Sequence, residues 1–275
     1  MKLFRTIIII GIGLGCACQI RLKIEDSRLN VKNFTAYYGE NELDKISRFD
    51  LAILEPEHYH KTQIEKIKKS NTLTVAYLNI GEAESYRSFF NKVNSEWIIK
   101  ENPDWERHYF IDVSQKGWQN LLIDEVIPAI FIKNFDGLFL DMIDVAELFP
   151  DSQEGMISII NKIRQKYPDK LLIMNNGLFL ADHVSRSIDG ILAENLFIKY
   201  DLKTNLARKS RKSEYQSKIK ELIRLKQKYA LRIFTLDYVT HEKSELAGYA
   251  SGKARSFGFI PYVSTIALNK IFIEE

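Results

Sequence analysis

The chain has 275 residues, 45% hydrophobic and 12% aromatic, enough for one sizeable core and suited to a single α/β barrel or two smaller domains. Lysine and arginine number 39 against 36 acidic residues, and losing Lys2 and Arg5 with an N-terminal signal leaves 37 against 36, so the net charge gives no case for nucleic acid. The only cysteines are Cys16 and Cys18, which excludes a disulfide framework in the body of the chain.

Lys2 and Arg5 precede an uncharged run from Thr6 to Gly15, far shorter than the roughly 20 residues that span a bilayer, so residues 1–17 read as a signal peptide. Cys16 and Cys18 fall where it ends, each after a small residue, and this junction resembles a bacterial lipoprotein lipobox. The resemblance implies lipidation of Cys16 or Cys18 and a protein anchored to the outer face of a bacterial membrane, in the cell envelope. Ordinary cleavage and secretion, with both cysteines discarded or free, is the alternative. Residues 18–32 are polar and mixed in charge and read as a tether, leaving 33–275 as the folded domain.

Phe34-Thr-Ala-Tyr-Tyr-Gly39 and Asp50-Leu-Ala-Ile-Leu-Glu-Pro56 read as the first two strands, stopped by glycine and proline, and a helix follows over Lys61 to Ser70. Leu73 to Gly81 is a third strand. Residues 86–118 hold all three tryptophans, Trp97, Trp105 and Trp118, and a possible short strand at Tyr109 to Asp112. They read as an insertion folded over one end, before a helix from Trp118 to Ile132. Phe135 to Asp144 then carries Leu138, Phe139 and Leu140 between Gly137 and carboxylates, the pattern of a strand buried on both faces. Asp141 sits at its C-terminal end and Asp144 about one turn of loop further on, while Asp136 reads as a structural cap at the far end.

A helix from Gln153 to Tyr167, closed by Pro168, leads to a fifth strand, Leu171 to Gly177, which ends in two amides. Gly190 to Asn195 is a sixth, ending in Glu194. The basic stretch from Lys199 to Lys228 reads as a lead-in loop and a solvated amphipathic helix over Glu214 to Tyr229. Leu231 to Tyr238 and Phe257 to Val263 complete eight strand-like runs. Eight such runs separated by helices, most with polar or acidic ends, give the periodicity of a (β/α)8 TIM barrel in a single domain. A doubly wound sheet would carry Gly-x-Gly-x-x-Gly after its first strand, and none is present.

In a barrel, Glu82, Asp141, Asn175, Asn176, Glu194 and Asp237 converge on one mouth. Neighbouring carboxylates raise one another's pKa, so one is held protonated beside an ionised partner, as glycoside hydrolysis requires. Tyr37, Tyr38, Tyr77, Tyr238 and Tyr262 supply flat rings with hydroxyl handles for sugar stacking, although tyrosine in a strand also suits plain core packing. The sequence shows no Gly-x-Ser-x-Gly elbow, P-loop or body cysteine, and its histidines, at 58, 60, 108, 183 and 241, read as surface residues. No metal or organic cofactor is expected.

Ile80-Gly-Glu-Ala-Glu84, Phe135 to Asp144, Asn176-Gly177, Leu192-Ala-Glu-Asn195, Leu236-Asp-Tyr238 and Gly258-Phe-Ile-Pro-Tyr262 together resemble glycoside hydrolase family 114, the endo-α-1,4-polygalactosaminidase-like TIM barrels. That resemblance implies a retaining hydrolase of an amino-sugar polysaccharide, with Asp141 as nucleophile and Glu194 as acid/base. Tyr38, Glu82, Asp144, Asn175, Asn176, Asp237, Tyr238 and Tyr262 are then expected around the substrate. Glu55-Pro56 stands where the family pattern has Asp-Pro, and Glu55 and Glu84 also read as solvated loop residues. Two rivals stand beside it. Asp136-Gly137 with Asp141 and Asp144 also resembles the catalytic strand of chitinase-like barrels, which have glutamate in place of Asp144. The other is a surface carbohydrate-binding lipoprotein without turnover.

Overall fold

The computed structural model describes residues 30–273 apart from Lys243, and the expected signal peptide with Cys16 and Cys18 lies outside the described residues. The uniformly apolar runs form strands with both faces covered, as parallel strands flanked by helices must be. These are β1 (Phe34–Tyr37), β2 (Leu51–Leu54), β3 (Leu73–Asn79), β4 (Gly137–Asp141), β5 (Leu171–Asn175), β6 (Gly190–Glu194), β7 (Arg232–Tyr238) and β8 (Ile260–Ser264). Each pairs in parallel with the next in chain order. The sheet curls until its edges meet: the Phe34 ring of β1 lies 5.6 Å from Tyr262 of β8, and Tyr38 N donates to Leu268 O at 2.7 Å. The result is the expected (β/α)8 barrel in one domain.

Helices cover the outside, each burying one stripe. Between β2 and β3, α1 (Lys61–Lys68) buries Ile64 and Ile67, and between β4 and β5, α2 (Gln153–Lys166) buries Met156, Ile159, Ile160 and Ile163. Between β6 and β7, α3 (Lys212–Tyr229) buries Tyr215, Ile219, Leu222 and Leu225, and α4 (Glu245–Ser256) precedes β8. The helix leading into β4 is interrupted: Lys116–Leu121 passes through a π turn, Leu122–Val126, into Ile127–Phe131. Pro128 has no N–H to continue an α ladder, which accounts for the wider turn at this point.

Three local expectations need correcting. The insertion, together with Glu82–Glu84 just before it, forms a three-stranded antiparallel sheet with His108–Ile111 and Ile98–Glu101, instead of one short strand. The supposed basic loop is a hairpin, Ile198–Asp201 with Leu206–Lys209. Its turn is made by Asp201 Oδ1, which accepts the N–H groups of Lys203 and Thr204, and by Asn205 in the left-handed region at φ +53°. At the N-terminal side, Val31 is buried and Lys32 N donates to Asp50 Oδ2 at 2.7 Å, so the barrel's own packing takes in the end of the expected tether.

Candidate active site

Three adjacent strands end in the groups that matter: Asp141 closes β4, Asn175 closes β5 and Glu194 closes β6. Asn175 Nδ2 donates to Asp141 Oδ1 at 2.7 Å, and the same side chain stands beside Glu194, whose ionised form it favours. Asn175 Oδ1 is buried and has no hydrogen-bond partner among the described residues.

The backbone turns the same way after each of these residues. Met142, Asn176 and Asn195 have φ of +60°, +50° and +51°. Asparagine tolerates this region, but for Met142 it is strained, and such strain is held at functional sites by the surrounding packing. Part of that packing is Gly81, where a Cβ would sit 2.2 Å from the Met142 carbonyl oxygen. The Gly81 of the Ile80–Glu84 motif therefore serves close approach. Met142 N in turn donates to Asp141 Oδ1 at 2.8 Å.

Tyrosines complete the shell. Tyr238 OH donates to Glu194 Oε1 at 2.9 Å, and burial, followed by the charge of Asp141, raises the Tyr77 hydroxyl well above its ordinary range. Tyr38 meets Tyr77 edge-on at 5.2 Å. Burial, followed by the charges of Asp141 and Glu194, pushes the Tyr38 hydroxyl well above its ordinary range, which keeps it a proton donor. Burial first, and then the charge of Asp141, pushes Glu194 up to about 7, against the opposing pull of Tyr238, Lys218 and Asn175. One carboxyl of the pair is thus poised to carry a proton near neutral pH.

Asn176 and Asp144 lie one step behind. Asn176 Oδ1 accepts Glu194 N at 3.3 Å and Lys218 Nζ at 2.8 Å, so it fixes the acid from below. Burial raises the Asp144 carboxyl, against the opposing pull of the Gly177 backbone N–H. Lys218, from α3, was not singled out by the sequence because nothing in an amphipathic helix marks which lysine turns back to the barrel rim.

Three expected substrate contacts are occupied otherwise. Asp237 is 1% exposed, and its Oδ1 accepts the N–H groups of Phe197 and Ile198, both at 2.8 Å. Alternation along β7 sends Tyr238 to Glu194 and its neighbour Asp237 to the opposite side. Glu82 is also 1% exposed and is held by Asn102 Nδ2 at 2.6 Å and by His108 Nδ1 at 2.9 Å. Tyr262 packs against Phe34 and Phe49, and its hydroxyl accepts Phe272 N at 3.2 Å.

The strand-two acid is equally committed. Glu55 and Glu84, read from sequence as solvated loop residues, both bind the buried Arg87, whose Nη1 reaches Glu55 Oε1 at 2.6 Å and whose Nε donates to Glu84. The guanidinium carbon lies 5.6 Å from the centre of the Tyr77 ring. Among the described residues no group of three or more histidine, cysteine, aspartate or glutamate side chains is arranged to hold a metal ion.

A (β/α)8 barrel with two acids flanking one amide at the C-terminal ends of its strands is the architecture of a barrel glycosidase. The chain belongs to glycoside-hydrolase family GH114, whose family model matches residues 25–274. It is 28% identical to a Thermotoga maritima protein over 79% of this chain and 75% of the other. It is 27% identical to MJ1477 of Methanocaldococcus jannaschii over 86% and 76%. The glycoside hydrolase domain of PelA from Pseudomonas aeruginosa superposes with a TM-score of 0.77 at 19% identity, over 89% of this chain and 98% of that one. Aspergillus fumigatus Ega3, solved with galactosamine, superposes with a TM-score of 0.71 at 14% identity, over 90% and 95%. The protein is a glycosidase.

Proposed function

We propose that the chain hydrolyses an amino-sugar polysaccharide of the α-1,4-galactosaminoglycan type with net retention, Asp141 acting as nucleophile and Glu194 as acid/base. The observation that carries this reading is the placing of Asp141 and Glu194 on either side of Asn175, close enough for the charge of Asp141 to help raise the Glu194 carboxyl. Carboxyls about 5–5.5 Å apart suit double displacement, whereas about 6.5–9.5 Å leaves room for the water of an inverting enzyme. Acids that feel each other's charge in a buried site favour the first. The kinship with Ega3, solved with galactosamine, supports the sugar class.

In the first step Glu194, neutral below about pH 7, gives its proton to the glycosidic oxygen as that bond breaks. The Asp141 carboxylate attacks the anomeric carbon and forms a glycosyl ester. Glu194, now a carboxylate, takes a proton from water, and the resulting hydroxide equivalent attacks the anomeric carbon and releases Asp141. Asn175 Oδ1 offers an acceptor to a sugar hydroxyl or amine, the Tyr238 hydroxyl holds Glu194, and Met142 N with Asn175 Nδ2 holds Asp141.

Reducing-end release from amino-sugar polymers tests the assignment. Asp141→Asn and Glu194→Gln each lower kcat by about 10³-fold or more while circular dichroism is kept, and the first product seen by NMR is the α anomer. Unchanged turnover in both variants, or a β anomer formed first, overturns it.

Lys2, Arg5 and the cysteines at the end of the apolar run support a second assignment: export to the cell envelope with a lipid anchor on Cys16 or Cys18. Labelled fatty acid enters the full chain and is lost in the Cys16→Ala, Cys18→Ala double variant; equal labelling of that variant overturns it.

A further inference from the structure

One exposed aromatic surface takes no part in the chemistry above. Trp105 is 47% exposed and Tyr86 is 44% exposed, an unusual state for rings of that size in a folded protein. They belong to one cluster on the insertion sheet. Trp105 lies 6.2 Å from the His108 ring, and His108 lies 5.8 Å from Tyr86. The cluster continues inward: the Arg87 guanidinium sits 5.2 Å from the Tyr86 ring and 5.6 Å from the Tyr77 ring, and the Tyr77 hydroxyl feels the charge of Asp141. A line of packed side chains therefore runs from the neighbourhood of Asp141 to an open tryptophan.

The segment that presents Trp105 is built rather than loose. Asn102 Oδ1 accepts Asp104 N at 2.9 Å, His108 N donates to Trp105 O at 3.3 Å, and Arg107 adopts φ +68°, a left-handed conformation for a residue with a long side chain. Asp104 and Glu106, on either side of Trp105, are exposed, and neither forms an ion pair among the described residues. A flat apolar ring between two open carboxylates matches one chemistry well. The C–H face of a pyranose stacks on the indole, and an ammonium on the same sugar finds a counter-charge beside it.

We propose that Trp105, flanked by Asp104 and Glu106 and backed by Tyr86, forms an outlying subsite that grips an unreacted amino sugar of the polymer chain. The inference rests on the proposed amino-sugar specificity and adds where, beyond the cleaved bond, the chain is held. Its occupant is a polysaccharide carrying free amines, chosen by the charge complementarity of the carboxylates beside the exposed ring. Binding energy gathered there holds long substrates in register and is not available to short ones.

Calorimetric titration of the intact Glu194→Gln protein with a long de-N-acetylated oligosaccharide and with its disaccharide tests this without turnover. Trp105→Ala weakens binding of the long oligosaccharide by about tenfold and that of the disaccharide by less than about twofold, while Trp105→Phe keeps most of the affinity. Asp104→Asn with Glu106→Gln gives a loss that disappears when the oligosaccharide is N-acetylated. Equal effects of Trp105→Ala on both lengths, or none on either, overturn the subsite. If the unsubstituted protein cleaves no amino-sugar polymer yet the length-dependent loss is seen, the subsite stands and the hydrolytic assignment falls. If it cleaves the polymer and Trp105→Ala is indifferent, the reverse holds. No binding of the long oligosaccharide overturns both.

Discussion

Glu194 is the residue on which two measurable properties meet. Its carboxyl is pushed up from 4.5 to about 7 by burial and by Asp141, so in the proposed role of proton donor it is spent above that pH. The expected kcat/KM profile therefore falls with rising pH, with a midpoint near 7. Tyr238 donates to Glu194 and favours its ionised form, so Tyr238→Phe moves that midpoint upward by about one pH unit. An unmoved alkaline limb would leave Tyr238 with a packing role only. Stability follows from the same shift. Folding raises this pKa, so the folded chain holds the proton more tightly than the unfolded one. The group is therefore most favourable below about pH 4.5 and costs stability as pH climbs to about 7 and beyond. Glu194→Gln removes that cost. Its thermal midpoint should exceed that of the unsubstituted protein by about 7 °C or more at pH 8, with the difference vanishing near pH 4. A gain at both pH values would mean that something other than ionisation is relieved.

At the scale of elements, the insertion sheet is held to the barrel by charges as well as by packing. Arg87 is buried between Glu55, just beyond β2, and Glu84, on the short strand Glu82–Glu84. Arg87→Met leaves two buried carboxylates facing each other with no cation, and the expected cost is about 3–5 kcal/mol in denaturant unfolding. Adding Glu55→Gln and Glu84→Gln should recover much of it, because amides need no counter-ion. Equal losses in the single and triple variants would assign the effect to packing alone. These elements also show what a sequence reveals. Strands buried on both faces announce themselves as short apolar runs, and all eight were legible, as were the acid and amide endings of β4, β5 and β6. The Glu82–Glu84 strand and the hairpin carrying Lys199 and Arg208 were not, because strands of three or four charged or mixed residues carry no hydrophobic signature. Nor does position at a strand end disclose side-chain direction. Asp237 and Tyr238 are adjacent, yet the period of two sends only the tyrosine to the acid pair. Glu55 and Glu84 passed for solvated acids because their shared partner, Arg87, is 32 residues from the first and 3 from the second.

Over the whole molecule the charge is nearly balanced, so attraction of a charged substrate has to come from a local field. Near the acid pair stand Asp141, Glu194 and Asp144 against Lys218, with the Glu55–Arg87–Glu84 cluster carrying one further uncompensated negative charge. With Glu194 protonated, the mouth is still net negative. Fields of this reach are screened over about 8–10 Å at physiological salt, which is comparable to the spacing of these groups. Raising the salt concentration from about 0.02 to 0.5 M should accordingly raise KM for a de-N-acetylated galactosaminoglycan several-fold and leave kcat unchanged. The N-acetylated polymer carries no ammonium, so its KM should stay flat across the same range. If both polymers respond alike, salt is acting on the protein or on polymer conformation, and the negative mouth is not what selects the substrate. If only the cationic polymer responds, the barrel uses local charge to choose among sugars that its carboxyl chemistry alone would not tell apart.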